Sequence, residues 1–94
     1  MIATNYQVYT FSAQAVGAFA QLINTLEAAT SRKDRAKYTT MVSGFVRSLH
    51  FVRTSDSIEG NLVRVRKNLN VKTGEVNYDF TFETAERKPD AKDL

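Results

Sequence analysis

The sequence is notable first for what it lacks: among its 94 residues there is no cysteine and only one histidine. Without cysteine the chain can form neither disulfides nor thiolate metal sites, and His50 alone cannot supply a His-rich site. No apolar run approaches the roughly 18 residues that a membrane-spanning helix needs. The N-terminus shows no basic segment before an apolar stretch, so no secretory signal is predicted. We therefore expect a cytoplasmic protein with no metal, no cofactor and no membrane contact.

The composition that remains is typical of a folded domain. Hydrophobic residues make up 43% of the chain and aromatic residues 11%, which are the proportions of globular rather than disordered proteins. The length suits one domain with a modest core. Residues 85–94 show no apolar period. The sequence therefore predicts a single domain over residues 1–86 and a polar, flexible tail over residues 87–94.

Positive charge is concentrated in the middle of the chain. Residues 32–72 contain ten of the thirteen lysines and arginines and only three acids, a local net charge of +7. The first 31 residues carry a net charge of −1, and residues 73–94 carry −3. A basic block inside a nearly neutral chain indicates a surface for an anionic partner.

The first half of the chain predicts one strand and two helices. Residues 4–11 are rich in β-branched and aromatic side chains, which favours a strand. Ser12 can cap a helix over residues 13–29, and Ser31 can cap a second helix over about 32–51. Apolar residues recur at helical spacing in both. In the first helix they are Val16, Phe19, Ile23 and Leu26, and in the second they are Tyr38, Met41, Val42, Phe45, Leu49 and Val52.

The second half predicts a β-hairpin, because residues 62–71 and 76–84 both alternate apolar with polar side chains. A tip at residues 72–75 would oppose Val71 with Val76, and thus Leu69 with Tyr78 and Val65 with Phe82. This register matches apolar faces at every pair. The buried face is expected to be formed by Val63, Val65, Leu69 and Val71 against Val76, Tyr78, Phe80 and Phe82, with Lys67 as a charged exception at the sheet edge.

The predicted order is therefore β-α-α-β-β, an α+β fold. The two helices form an αα-hairpin packed on one face of an antiparallel sheet, which the first strand joins beside one hairpin strand. The other face of the sheet is solvated. The bulky residues expected at the centre of the core are Phe19, Ile23, Phe45, Leu49, Phe80 and Phe82.

Two basic surfaces emerge from this arrangement. One is a flank of the second helix, where lysines and arginines three, four and seven residues apart could follow successive phosphates; Arg35 belongs to this flank, and Gly44 would allow a close approach. The other is the outer face and tip of the hairpin. The residues expected to contact a nucleic acid or another partner are Arg32, Lys33, Lys37, Arg47, Arg64, Arg66 and Lys72.

Both surfaces also have a plainer interpretation. A surface helix needs a charged, solvated side in any case. In the predicted register Arg64 faces Glu83 and Asn68 faces Asp79, which would cancel part of the positive field. His50, near the end of the second helix, has no neighbouring motif that would supply a catalytic partner.

The function expected from these features is binding without catalysis. No phosphate-binding glycine loop and no hydrolase, metalloprotease or EF-hand spacing occurs. We expect a small basic protein that contacts the phosphates of DNA or RNA through the second helix and the hairpin. The alternative is a small inhibitor or adaptor, of the kind that phages and mobile elements encode, bound to an acidic surface of a host protein. A homodimer through an exposed sheet edge is a further expectation.

The order β-α-α-β-β with a basic surface is similar in topology to the RelE-like mRNA-cleaving toxins. Those toxins continue the sheet with further strands that carry the catalytic side chains. Only two strands are predicted after the helices here, and no family motif is matched residue by residue. The resemblance therefore implies no catalytic residue in this sequence.

Overall fold

The computed structural model describes residues 2–87, with side chains from residue 4 to residue 84. The predicted α+β fold is confirmed, with helices packed on one antiparallel sheet. Most of the predicted tail, residues 88–94, lies outside the described part. The elements are β1 (Ile2–Ser12), α1 (Ala13–Val16), α2 (Phe19–Ala28), α3 (Arg32–Thr54), β2 (Asn61–Leu69) and β3 (Val76–Arg87).

The strand order is β1-β3-β2, so β3 lies in the centre and β1 and β2 form the two edges. The central place of β3 follows from its sequence, since Tyr78, Phe80 and Phe82 alternate on one face of this strand and all three are buried. β3 pairs with β1 without interruption from Ile2 opposite Arg87 to Ser12 opposite Asn77. The strand therefore extends beyond residue 84, where its apolar alternation ends.

The predicted helix over residues 13–29 is broken near its start. Ser12 caps α1 as expected, accepting a hydrogen bond from the backbone N–H of Ala15 at 3.1 Å. Gly17 then adopts a φ of +56°, a conformation that glycine takes without steric cost, and it ends the helix after one turn. A second helix, α2, starts at Phe19. The continuous helix was therefore a wrong prediction, because the glycine acts as a terminator rather than a weak interior position.

The long helix α3 begins where the sequence predicts. The hydroxyl of Ser31 accepts from the N–H of Asp34 at 3.1 Å. Its buried face differs from the prediction, however, because it is centred on Val42 and Val46. Val52 is 80% exposed although it was expected to be buried. The apolar arc of α3 is wider than its contact with the sheet and α2, so its apolar period alone could not fix which part is covered.

The hairpin register is two residues away from the prediction. Leu69 lies opposite Val76 rather than Tyr78, and Val65 opposite Phe80 rather than Phe82. The cause is Asn70, whose side-chain oxygen accepts hydrogen bonds from the N–H groups of residues 72 and 73 at 3.0 and 3.3 Å. This Asx-type turn closes the hairpin one pair earlier than expected. A shift of two residues preserves the faces, so the inward side of β3 is as predicted.

A β-bulge between Leu62 and Arg64 changes the faces at the start of β2. Leu62 is buried, whereas Val63 is 48% exposed. The expectation that Val63 faces the core was therefore wrong, because the extra residue reverses the alternation at this point. The bulge is located in an edge strand, where such irregularities are common.

The core lies between the helices and the inner face of the sheet. Ile23, Phe80 and Phe82 are at its centre as predicted. Phe19 is 42% exposed and stacks at 3.9 Å on Phe45, which with Leu49 is only partly buried at the margin of the core. Their central placement was therefore wrong. The full set of buried residues is Phe11, Val16, Ile23, Leu26, Val42, Val46, Ile58, Leu62, Tyr78, Phe80 and Phe82.

Candidate binding groove

A groove runs between α3 and the edge strand β2. In its first section Arg35 and Thr39 of α3 lie across from Arg64 of β2, and Leu26 and Leu62 contribute apolar surface between them. Both leucines belong to the core, so the bottom of the groove is continuous with the folded interior. Two arginines therefore reach the same hollow from different elements of the fold, and since Glu27 also lines it, the charged side chains of the hollow sum to +1.

The groove continues along the flank of α3 in both directions. Toward the start of the helix it is lined by Arg32 and Arg35, and toward the middle by Ser43, Gly44 and Arg47. At about 100° per residue these positions fall within one half of the helix circumference and thus share one side of the helix. A Cβ atom built on Gly44 would contact nothing within 4 Å. The fold itself therefore gives no packing reason for a glycine inside this helix.

The predicted binding residues of α3 are distributed around this flank. Arg32 lines the groove, while Lys33 and Lys37 are exposed beside it. The ammonium group of Lys37 lies 5.6 Å from the centre of the Tyr38 ring, within the range of a cation–π contact. Arg35, which was placed on the basic flank but not among the expected contact residues, is the basic residue of α3 that lines the same section of the groove as Arg64.

Arg35 is also oriented by the fold. One of its guanidinium nitrogens donates a hydrogen bond to the carbonyl oxygen of Ala29, at 3.2 Å, in the link between α2 and α3. This bond uses one of five N–H donors, so the others are free to meet a ligand. No local motif could have singled out Arg35, because its proximity to Arg64 depends on how α3 lies against β2.

Arg47 lines the middle section of the groove, but its guanidinium group is already engaged by contacts within the fold. Its guanidinium group donates to the Ser43 hydroxyl at 3.2 Å and to the carbonyl oxygens of Ile58 and Gly60. It also lies 5.3 Å from the centre of the buried Phe82 ring. Arg47 therefore fastens the loop before β2 to α3. This guanidinium already serves the fold, and its role in partner binding stays a prediction.

On the hairpin the predicted residues follow β2 away from the groove. Arg64 lies at the groove, Arg66 is exposed two residues further along β2, and Lys72 is exposed in the turn. The expected pairing of Arg64 with Glu83 was wrong, because the shifted register places Arg64 opposite Thr81. The carboxylate of Glu83 therefore does not lie directly across from the groove arginine.

Asp79 of β3 links all three strands on the outer face of the sheet. Its carboxylate accepts a hydrogen bond from the Thr10 hydroxyl of β1 at 2.7 Å and another from the side-chain amide of Asn68 in β2. Arg66 is its direct cross-strand neighbour. An acid thus occupies the middle of this face, next to the second hairpin arginine. The positive surface is therefore concentrated at the β2 edge and the groove rather than across the whole outer face.

A second hollow lies at the other side of the molecule, beside β1. It is lined by Gln7 and Tyr9 of β1, His50 of α3, and Asp56 and Glu59 of the following loop, among others. The His50 ring meets the Tyr9 ring edge to face, with 4.8 Å between their centres. This hollow is polar and acidic, opposite in sign to the groove. Sequence reasoning did not find it, because its residues come from three separated segments.

No protein-family model, curated protein or solved structure matches this chain. Among the side chains of residues 4–84, no group of three or more histidine or acidic residues is arranged to hold a metal ion. No helix in that part of the chain combines the length and apolar character that crossing a membrane requires. The groove between α3 and β2 is therefore assessed on its own geometry and charge.

Proposed function

We propose that this protein binds nucleic acid through the groove between α3 and β2. The observation that carries the proposal is the convergence of Arg35 and Arg64, from a helix and a strand, on one hollow. Arginine presents several N–H donors in a planar fork, which suits phosphate oxygens. Arg32 extends the same charge along the groove, and the exposed Lys33 and Lys37 lie on the same helix.

The uncharged part of the groove also suits a phosphate backbone. Thr39 and Ser43 place hydroxyl groups along it, and Gly44 leaves open space beside them. Hydroxyl side chains commonly bond phosphate oxygens and sugars, and such contacts position a protein without reading sequence. We therefore expect binding that depends weakly on base sequence and strongly on salt.

The salt dependence of binding tests this proposal. Fluorescence anisotropy with labelled duplex DNA and labelled single-stranded RNA would be recorded across a series of salt concentrations. The variant Arg35→Ala/Arg64→Ala should flatten the slope of log K against log salt by about two units on duplex DNA, since roughly one unit is lost per phosphate contact. Arg53→Ala is a matched control, because Arg53 lies over Phe11 near β1 rather than in the groove.

Two results would contradict the proposal. One is a wild-type protein that binds neither nucleic acid at low salt. The other is a slope that Arg53→Ala lowers as much as each groove substitution does, which would indicate diffuse attraction without a defined site.

An acidic protein surface is the second candidate partner, and a specific observation favours it. Three aliphatic side chains near the groove and hairpin tip are exposed, Val63, Leu69 and Val71. Phosphates would leave such side chains in water, whereas a protein partner would bury them. If the wild type binds no nucleic acid at low salt, and Leu69→Ser/Val71→Ser abolishes its binding to a captured acidic protein, the inhibitor or adaptor function replaces the first proposal.

The sequence also predicts a homodimer through a sheet edge. Pairing through β2 would cover the groove, so only pairing through β1 would leave the groove free for nucleic acid.

A further inference from the structure

The edge strand β1 carries none of the features that keep sheet edges apart. Its eleven residues include no charge, no proline and no glycine, and its pairing with β3 has no bulge. Proteins usually protect an exposed edge with exactly such features, because every second residue there turns an unpaired N–H and C=O toward solvent. β1 is therefore open to pairing with another strand.

The other edge of the same sheet is protected. β2 contains a bulge between Leu62 and Arg64 and carries Arg64, Arg66 and Lys67 in close succession. Lys67 points to the inner face, yet it is exposed, and an inward charge of this kind opposes edge-to-edge pairing. The fold thus blocks sheet extension on one side and permits it on the other.

The sequence of β1 fits antiparallel pairing with itself. About a centre at Gln7, Thr4 meets Thr10 of a second copy, Tyr6 meets Val8, and Asn5 meets Tyr9. Pairs of threonines and of an aromatic with a β-branched residue are among those that stabilise antiparallel strands. All pairs keep the solvated and helix-covered faces matched, because their positions differ by an even number of residues.

We propose that two copies of this protein form a symmetric dimer through β1, with Gln7 at the two-fold axis. Pairing would cover Tyr6 and Val8, which are 62% and 58% exposed on the outer face of the isolated chain. The result is a six-stranded antiparallel sheet ordered β2-β3-β1-β1-β3-β2. The partner is a second copy rather than an unrelated strand, because β1 is complementary to itself: each residue on one side of Gln7 meets a suitable residue from the other side of Gln7 in the second copy.

This dimer leaves both grooves free. Each β2 edge lies at an outer end of the joined sheet, and five strand spacings separate the two edges by about 24 Å. The dimer does not depend on nucleic-acid binding, since no residue of the groove lies in β1. The two proposals can therefore fail separately.

Sedimentation of the protein without nucleic acid tests the dimer. The wild type should show a concentration-dependent mass approaching twice 10.6 kDa. Val8→Lys should raise the dissociation constant about tenfold or more, because the charge enters the symmetric interface twice, beside Tyr6 of each partner. Val63→Lys is the matched control, an identical change at a similarly exposed position on β2, and it should leave dimerisation unchanged.

A cysteine introduced into this cysteine-free chain tests the register. Directly opposed residues of antiparallel strands have Cα atoms about 4.5–5.5 Å apart, which a disulfide can bridge. Gln7→Cys should therefore form a covalent dimer under mild oxidation, and Val63→Cys should form far less. A wild type that stays monomeric at the highest attainable concentration, or a dimer that Val63→Lys weakens as much as Val8→Lys, would overturn the proposal.

Discussion

The two edges of the sheet differ in charge, regularity and surroundings. β2 has a bulge and three basic side chains, and it borders a groove whose other wall is the basic flank of α3. β1 is uncharged and pairs with β3 without irregularity, and it borders an acidic hollow. Both edges are supported by the same central strand. The two proposals follow this difference, since they assign an anion-binding surface to the side of β2 and a surface for a second copy to the side of β1.

The largest effect on stability is expected in β3, the central strand that pairs with both edge strands. Phe80 is fully buried and lies opposite Tyr9 of β1 and Val65 of β2. Phe80→Ala should lower the free energy of unfolding by about 3–5 kcal/mol, measured by urea denaturation. Val8→Ala, at an exposed site of β1, should change it by less than about 0.5 kcal/mol. A loss below about 1 kcal/mol for Phe80→Ala would show that the face assignment of β3 is wrong.

A glycine at the start of β2 should affect that edge selectively. Gly60 has a φ of +92°, and a Cβ atom there would clash with the backbone carbonyl group of Glu83. Gly60→Ala should cost about 3 kcal/mol, because the left-handed conformation and the contact with β3 are both unfavourable for alanine. Hydrogen exchange should accelerate at the first residues of β2 more than in β1. If hydrogen exchange accelerated equally in β1 and β2, the two edges would not be independent of each other.

Arg47 should matter to stability more than to charge. Arg47→Met keeps the aliphatic stem but leaves the carbonyls of Ile58 and Gly60 without their donor. The free energy of unfolding should fall by about 2 kcal/mol in urea denaturation, since partly buried acceptors lose charged hydrogen bonds. Arg53→Met is the control on the same helix, and it should cost less. If Arg47→Met leaves stability unchanged but flattens the salt dependence of nucleic-acid binding, Arg47 contacts the nucleic acid rather than fixing the loop.

The smallest effect is expected at Gly44, and it is a gain. Gly44→Ala should stabilise the protein by about 1 kcal/mol, because alanine is the better helix former and the added methyl group meets open space. Gly44→Gln should retain most of this gain while placing a long side chain in the groove. Thermal unfolding and nucleic-acid titration of both variants would be compared. Affinity that is unchanged by Gly44→Gln would show that no ligand approaches this part of α3.

The sequence predicts the fold well where local signals act alone. The caps at Ser12 and Ser31 and the inward alternation of β3 follow directly from residue type and spacing, and all are found. The hairpin register was missed because Asn70 closes the turn through its own side chain, a choice that strand alternation does not encode. The bulge before Arg64 is also hard to predict, because its only trace in the apolar pattern is that two apolar residues, Leu62 and Val63, are adjacent.

The site was harder to predict for a physical reason. The basic block of residues 32–72 is visible in the sequence, but which of its members meet depends on tertiary packing. Arg35 and Arg64 lie 29 positions apart and share a groove only because α3 lies along β2. Arg47 has the same spacing pattern as its basic neighbours, yet it turns toward the loop. Helical periodicity places these residues on a flank but does not tell which guanidinium groups the fold itself will use.

The most direct test of the division between the two edges is sedimentation velocity of the protein with labelled duplex DNA, recorded for Val8→Lys and Arg64→Glu together. We predict that Val8→Lys is monomeric and still binds DNA, whereas Arg64→Glu is dimeric and binds DNA weakly. If Val8→Lys and Arg64→Glu are both folded and each loses dimerisation and DNA binding together, the two edges do not have separate roles and the account is contradicted.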